Sequence, residues 1–320
     1  MIFNLIGAAT IAQGTTARNE QRQINFLDNL SIVWGAHQLK FGVDYRWLSP
    51  ISDPLAYFAQ PVFSGVNGPT GASSGVAQLV AIQASQRAVL FSPNFSLYGQ
   101  DAWKVTPRLT LVYGLRWDVN PALKGKNSDD DPFTVRGLDN PATMTLAPHG
   151  TPLYRTTYGN IAPRIGAVYQ LRQSQGWDTV LRGNIGVFYD LGTGFLGAAL
   201  ANFPFTALKI LSNVAYPLTP QQAAPPLFSQ RPPVSSIFVT EPDLSLPRTY
   251  QWNAAIEQSL GANQTFSLTY VGALGRDLLR TDRLSNPNAD FGNVAVVRNT
   301  ATSDYHALQV KFQLALKLFF

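Results

Sequence analysis

From Leu109 to Val119 every second residue is large and apolar, namely Leu109, Leu111, Tyr113, Leu115, Trp117 and Val119. The interleaved residues Thr110, Val112, Gly114, Arg116 and Asp118 are small or polar. A period of two sorts side chains onto opposite faces of an extended strand, so this segment predicts a strand with one greasy face and one wet face. The pattern recurs four times. Leu39, Phe41, Val43, Tyr45 and Trp47 alternate with Gln38, Lys40, Gly42, Asp44 and Arg46. Ile161, Ile165, Ala167, Tyr169 and Leu171 oppose Arg164, Gly166 and Gln170, and Leu181, Ile185, Val187 and Tyr189 oppose Arg182, Asn184, Gly186 and Asp190. Leu308, Val310, Phe312, Leu314 and Leu316 oppose Gln309, Lys311 and Gln313.

Less regular segments, 22–33, 94–105, 248–260 and 265–273, bring the expected strands to nine. In the second of them Asp101 interrupts the series Phe95, Leu97, Trp103. Strands of roughly 9 to 13 residues exceed the usual five or six of globular sheets and match what a tilted strand needs to cross a bilayer.

The connections constrain the fold further. They run short (34–36), long (49–93), short (106–107), long (120–159), short (172–177), long (191–247), short (261–264) and long (274–303). Strict alternation belongs to an antiparallel up-and-down transmembrane β-barrel, with tight periplasmic turns and long extracellular loops. Loops of such length without secondary structure are foreign to compact soluble domains, where the median is about 4 to 6 residues. Pro163, which lacks an N–H, is expected near the outer rim just after a long loop.

Composition agrees. Charged residues make up 13% of the chain, about half the roughly 25% of an ordinary soluble domain. Leu191 to Leu208 is the nearest approach to a membrane-spanning helix, but glycines, Asn202 and Pro204 break it, and it reads as loop. The first residues lack the basic start of a secretory signal. The net charge of +5 is spread without a basic block, which argues against a nucleic-acid partner. With no cysteine there is neither a disulfide framework nor a thiolate metal site.

On the barrel reading, Lys40, Asp44, Arg46, Arg116, Asp118, Arg164, Arg182 and Asp190 face the lumen, where both signs can pair across strands. On the lipid side each Arg or Lys would cost about 2–4 kcal/mol at mid-depth. Tyr45, Trp47, Trp117 and Tyr189 fall on the apolar faces near ends that lead into long loops, the place of a membrane-interface girdle.

Several segments carry a family resemblance. The run from Tyr98 to Trp117, YGQDAWKVTPRLTLVYGLRW, resembles the strand, turn, strand unit of TonB-dependent receptor barrels. His37–Arg46 (HQLKFGVDYR), Asn160–Gly166 (NIAPRIG), Leu181–Tyr189 (LRGNIGVFY), Leu246–Asn253 (LPRTYQWN), Tyr270–Arg276 (YVGALGR) and Tyr305–Val310 (YHALQV) resemble the Oar-like, acidobacterial type in the same order, over most of residues 21 to 316. The resemblance implies a 22-stranded barrel with an N-terminal plug, energised through the TonB system in the full-length protein. Against it, residues 21–320 are expected to be a partial barrel of about nine or ten strands, with residues 1–20 unassigned and signal and plug absent. Nine is an odd count, which also points to a fragment.

No catalytic chemistry is legible. His37, His149 and His306 stand far apart without a ligand spacing, Asp129–Asp131 lacks the spacing of a calcium loop, and no phosphate-binding glycine loop or nucleophile elbow occurs. The expectation is a non-enzymatic transport component of the outer membrane without a cofactor, whose partners are the lipid bilayer and a small-molecule, glycan or peptide substrate. A passive porin-like barrel and a surface adhesion or structural barrel are the alternatives. A soluble sandwich would leave apolar patches far larger than a monomer tolerates.

Overall fold

The computed structural model describes residues 2–7, 9–12, 17–191 and 196–315. Nine long strands form one wall: β1 (Arg18–Trp34), β2 (His37–Asp53), β3 (Ala88–Thr106), β4 (Leu109–Val119), β5 (Asn160–Arg172), β6 (Thr179–Tyr189), β7 (Arg248–Ser259), β8 (Gln264–Asn288) and β9 (Phe291–Leu314). Each of the nine expected segments falls on one of them, except that Leu316 at the end of the last lies outside the described residues. They pair antiparallel in chain order from β1 to β9, and Val234–Thr240 adds parallel to the outer part of β9. β1 and β9 stand at the two ends of this pairing order and run in the same direction. No ladder joins them among the described residues.

Four tight turns lie at one end. Gly35 and Ala36 join β1 to β2 with φ +58° at Gly35, the two-residue hairpin geometry that takes glycine first. Pro107–Arg108, residues 173–178 and residues 260–263 close the other three. The shortest wall strands, β4 and β6, have 11 residues each, or roughly 36 Å at about 3.3 Å per residue, enough to cross a bilayer core at a tilt.

Register carries the alternation from strand to strand. Leu30 pairs with Phe41, Phe41 with Gly99, and Gly99 with Leu115. Tyr113 pairs with Ile165, Ile165 with Ile185, and Ile185 with Trp252, while Ile256 pairs with Leu268 and Leu268 with Val310. A one-residue slip anywhere would reverse the faces of every later strand. On this face a Cβ at Gly272 would overlap the Trp252 indole, so the ring lies across the neighbouring strand in space only glycine leaves. The ladder between β5 and β6 begins at Arg164, one residue after Pro163, near the outer end as expected.

The long connections differ from the expectation of loops without secondary structure. Residues 274–303 are not a loop, because β8 and β9 simply continue outward, with 25 and 24 residues, to a tight turn at Ala289–Asp290. Five strands at the outer end form a second sheet in the order Thr206–Ala215, Val76–Ser85, Tyr57–Phe63, Ile2–Leu5, Ala9–Ala12. Leu191 to Leu208 contains a short helix, Leu196–Leu200, and the start of Thr206–Ala215, with residues 192–195 outside the described residues.

These outer segments fold because they bury apolar clusters of their own. Leu90 of β3 and Val297 of β9 pack with Leu123, Leu153, Tyr154, Phe205, Phe238 and Leu244. Phe133, Met144, Phe203, Ile237, Val239 and Val294 form a second cluster, and Phe63, Val80 and Ile82 a third beneath the small sheet. At roughly 1.5–3 kcal/mol per fully buried large side chain, each cluster can hold its segment against the entropy of ordering. Burial pushes the Tyr154 phenol up to about 12, and its hydroxyl donates to the Pro121 carbonyl at 3.1 Å. The molecule is thus a strand wall carrying a structured cap on its outer end.

Candidate functional site

The polar face of the wall holds a connected ionic network on β2, β3 and β4. Arg116 is its hub: Nε donates to Asp118 Oδ1 at 2.9 Å, and Nη2 donates to Ser96 Oγ at 2.8 Å and to Asp44 Oδ2 at 3.3 Å. Arg46 reaches the same Asp44 oxygen at 3.4 Å, and Ser96 Oγ donates to Asp118 Oδ1 at 2.7 Å. Register explains the convergence. Asp44 is paired with Ser96 and Ser96 with Asp118, so one row across three strands alternates acid, hydroxyl, acid, and Arg116 lies two residues below Asp118 on the same face. Asp118 is 4% exposed, and Asn160 Nδ2 caps its carbonyl at 3.0 Å.

Four of the eight polar residues expected to share a face, Asp44, Arg46, Arg116 and Asp118, therefore meet directly. Arg182 pairs with Glu257 of β7 at 3.2 Å. Arg164 stacks its guanidinium on the Phe188 ring at 4.2 Å. Among the described residues Lys40 and Arg164 make no ion pair. Asp190 lies just past the end of β6, its amide donating to the Pro247 carbonyl at 2.9 Å, apart from the network. Ser96, Asn160, Glu257 and Phe188 were missed by sequence reasoning. The small polar residues Ser92, Asn94 and Ser96 alternating with Pro93, Phe95 and Leu97 were the available signal.

Above this network the face goes dry. Asn94 is 2% exposed and neither amide atom has a partner, nor has Arg46 Nε on the paired strand or Asn120 Oδ1 at the end of β4. Below it the face opens into a cavity of about 840 Å³ lined by Lys40, Arg116, Arg164 and Arg182, with Gln100, Asn184 and Asn253. Among the described residues no carboxylate lines it.

The opposite face carries the aromatics. Tyr45 and Trp47 are each 40% exposed, Trp117 donates its indole N–H to the Tyr158 carbonyl at 2.7 Å, and Tyr189 is paired with Arg248 at the outer end of β6. Asp101 falls on this face too, where it is held by His37 Nδ1 at 2.6 Å and the Tyr113 hydroxyl at 2.8 Å. Trp103 stacks on His37 with centroids 5.4 Å apart. One oxygen of this carboxylate on a largely apolar surface, Oδ2, is thus covered by hydrogen-bonding neighbours. Near the outer edge of the same face His306 is bonded to the Tyr270 hydroxyl at 2.8 Å. Among the described residues no group of three or more His, Cys, Asp or Glu converges as metal ligands do.

A single antiparallel wall with a continuous apolar face, an ionic opposite face and all its long connections at one end is part of a membrane-spanning β-barrel. The sequence profile of the family described as "outer membrane beta barrel domain" matches residues 2–317. The chain belongs to that family, and its place is the bacterial outer membrane. Among solved structures it is similar to the outer membrane transporter YddB from Escherichia coli, with a TM-score of 0.56 and 14% identity, over 100% of this chain and 35% of that one. It is also similar to the copper transporter OprC, with a TM-score of 0.49 and 12% identity over 92% and 35% of the two chains. For the siderophore receptor PirA from Pseudomonas aeruginosa the TM-score is 0.38 and the identity 11%, over 91% and 44%. At these identities the likeness to YddB shows the fold alone. The chain spans about a third of the length of YddB and OprC. No curated protein matches the sequence.

Proposed function

We propose that this chain is part of the barrel of a TonB-dependent outer-membrane transporter of the Oar-like type. On this reading the capped outer end captures substrate, the ionic face lines the lumen, and release inward is driven by energy from the inner membrane. The observation that carries the transport reading is the wet ionic face beneath a structured outer cap. A purely adhesive barrel has no need of an open cavity lined by cations. The family motifs support the TonB dependence. Tyr45, Trp47, Trp117 and Tyr189 are assigned to the outer membrane interface, and the chemistry is binding and passage without a catalytic residue.

The test compares solutes consumed from a complex medium by three strains: the parent, one lacking this gene, and one depleted of TonB. The reading expects at least one solute that the parent removes and both other strains leave behind. If the gene's loss changes nothing, the transport reading is wrong. A solute that still disappears without TonB but not without this gene would make the barrel a passive pore.

A further inference from the structure

The carboxylates that β2 to β7 carry on the ionic face are all engaged, Asp44 and Asp118 by Arg46 and Arg116, and Glu257 by Arg182. Among the described residues Lys40 and Arg164 have no ion pair, and both line the 840 Å³ cavity. They sit in one register row, since Lys40 is paired with Gln100, Gln100 with Gly114, and Gly114 with Arg164. Three strand spacings separate them, roughly 14 Å, and the intervening Gly114 raises no side chain between.

Arg164 is held in place as well as unpaired. Its guanidinium lies over Phe188, and its stem passes over Gly186, where a Cβ would come within 2.9 Å of Arg164 Cγ. Stacking fixes the plane of the fork and leaves its N–H edges free, the presentation that suits a carboxylate or phosphate. Asn184 and Asn253, bonded to each other at 3.2 Å, and Gln100 add neutral donors to the same wall.

We propose that Arg164, with Lys40 and Gln100, forms a binding site for an anionic solute bearing carboxylate or phosphate groups. The site rests on the transporter reading for its purpose, and makes the solute that passes this wall an anion. A cation would meet two unneutralised positive charges, and a neutral solute would leave both unused.

The experiment is equilibrium dialysis of the protein as its gene encodes it, folded in detergent at low ionic strength. Radiolabelled citrate is the polycarboxylate probe and pyrophosphate the phosphate probe. Saturable binding of at least one probe is expected, weakened about tenfold or more by Arg164→Gln and again by Lys40→Gln, and unchanged by Arg155→Gln in the cap. Heat-modifiability on gels monitors folding, and Lys40→Gln decides the matter should Arg164→Gln fail to fold. Whichever probe binds names the group recognised. Failure of both to bind the wild type, or binding indifferent to the two substitutions, would overturn the site while leaving TonB-linked uptake, read separately, untouched.

Discussion

Leu268→Arg is expected to destabilise the barrel by about 2–4 kcal/mol, whereas Thr269→Arg, one residue later, costs less than about 1 kcal/mol. Leu268 sits on the apolar face between Ile256 and Val310, and Val310 is 63% exposed. In a membrane that exposure is contact with lipid, where a guanidinium must either lose its hydration or drag water to mid-depth. Thr269 is paired with Ala255 and Gln309 on the other face and borders the cation-lined cavity. There an arginine stays wet. Unfolding in lipid vesicles by titrated denaturant reads both variants. Equal costs would mean that neither face meets lipid, and a reversed order would mean the faces are exchanged.

Arg116→Met is expected to cost about 3–5 kcal/mol, because it leaves the buried Asp118 carboxylate without its counter-charge and Asp44 with Arg46 alone. The Asp118 side chain is 6% exposed and that of Asp44 13%, against 26% for Arg116, so solvent cannot replace the guanidinium. Adding Asp118→Asn to Arg116→Met removes one stranded charge. The double variant should therefore lose less than the sum of the two single ones, with a coupling of about 1–3 kcal/mol. Strict additivity in that cycle would show that the network contributes nothing as a unit.

The wall was legible in the sequence because barrel strands are simple. One face meets lipid and the other water, so the period of two survives along 109–119 and 39–47 with almost no interruption. Asp101 looked like a flaw in the pattern, since its hydrogen-bonding partners His37 and Tyr113 lie 64 and 12 residues away and only register brings them together. The cap was illegible for a related reason. Most of its strands have 7 residues or fewer, and its clusters draw on residues as distant as Leu90 and Val297, so local periodicity does not announce them. The outward run of β8 and β9 was hidden by irregular pairing between Gly275 and Arg280, where alternation breaks down. Of the ionic residues, sequence could place each on a face. Only the register could show that four share one network, that Arg182 has found Glu257, and that Lys40 and Arg164 are without an ion pair among the described residues.

The absence of cysteine makes a site-directed spin-label scan of residues 265–271 the most direct test of the two-faced wall. Single cysteines are introduced one at a time into the full-length protein in lipid vesicles, and each label is read for collisions with oxygen, which concentrates in lipid, and with a water-soluble nickel chelate. Oxygen should dominate at Phe266, Leu268 and Tyr270, and nickel at Thr265, Ser267, Thr269 and Val271, giving two signals with a period of two and opposite phase. Accessibility that varies smoothly along the strand, or nickel reaching every position equally, would contradict a strand that separates lipid from a lumen.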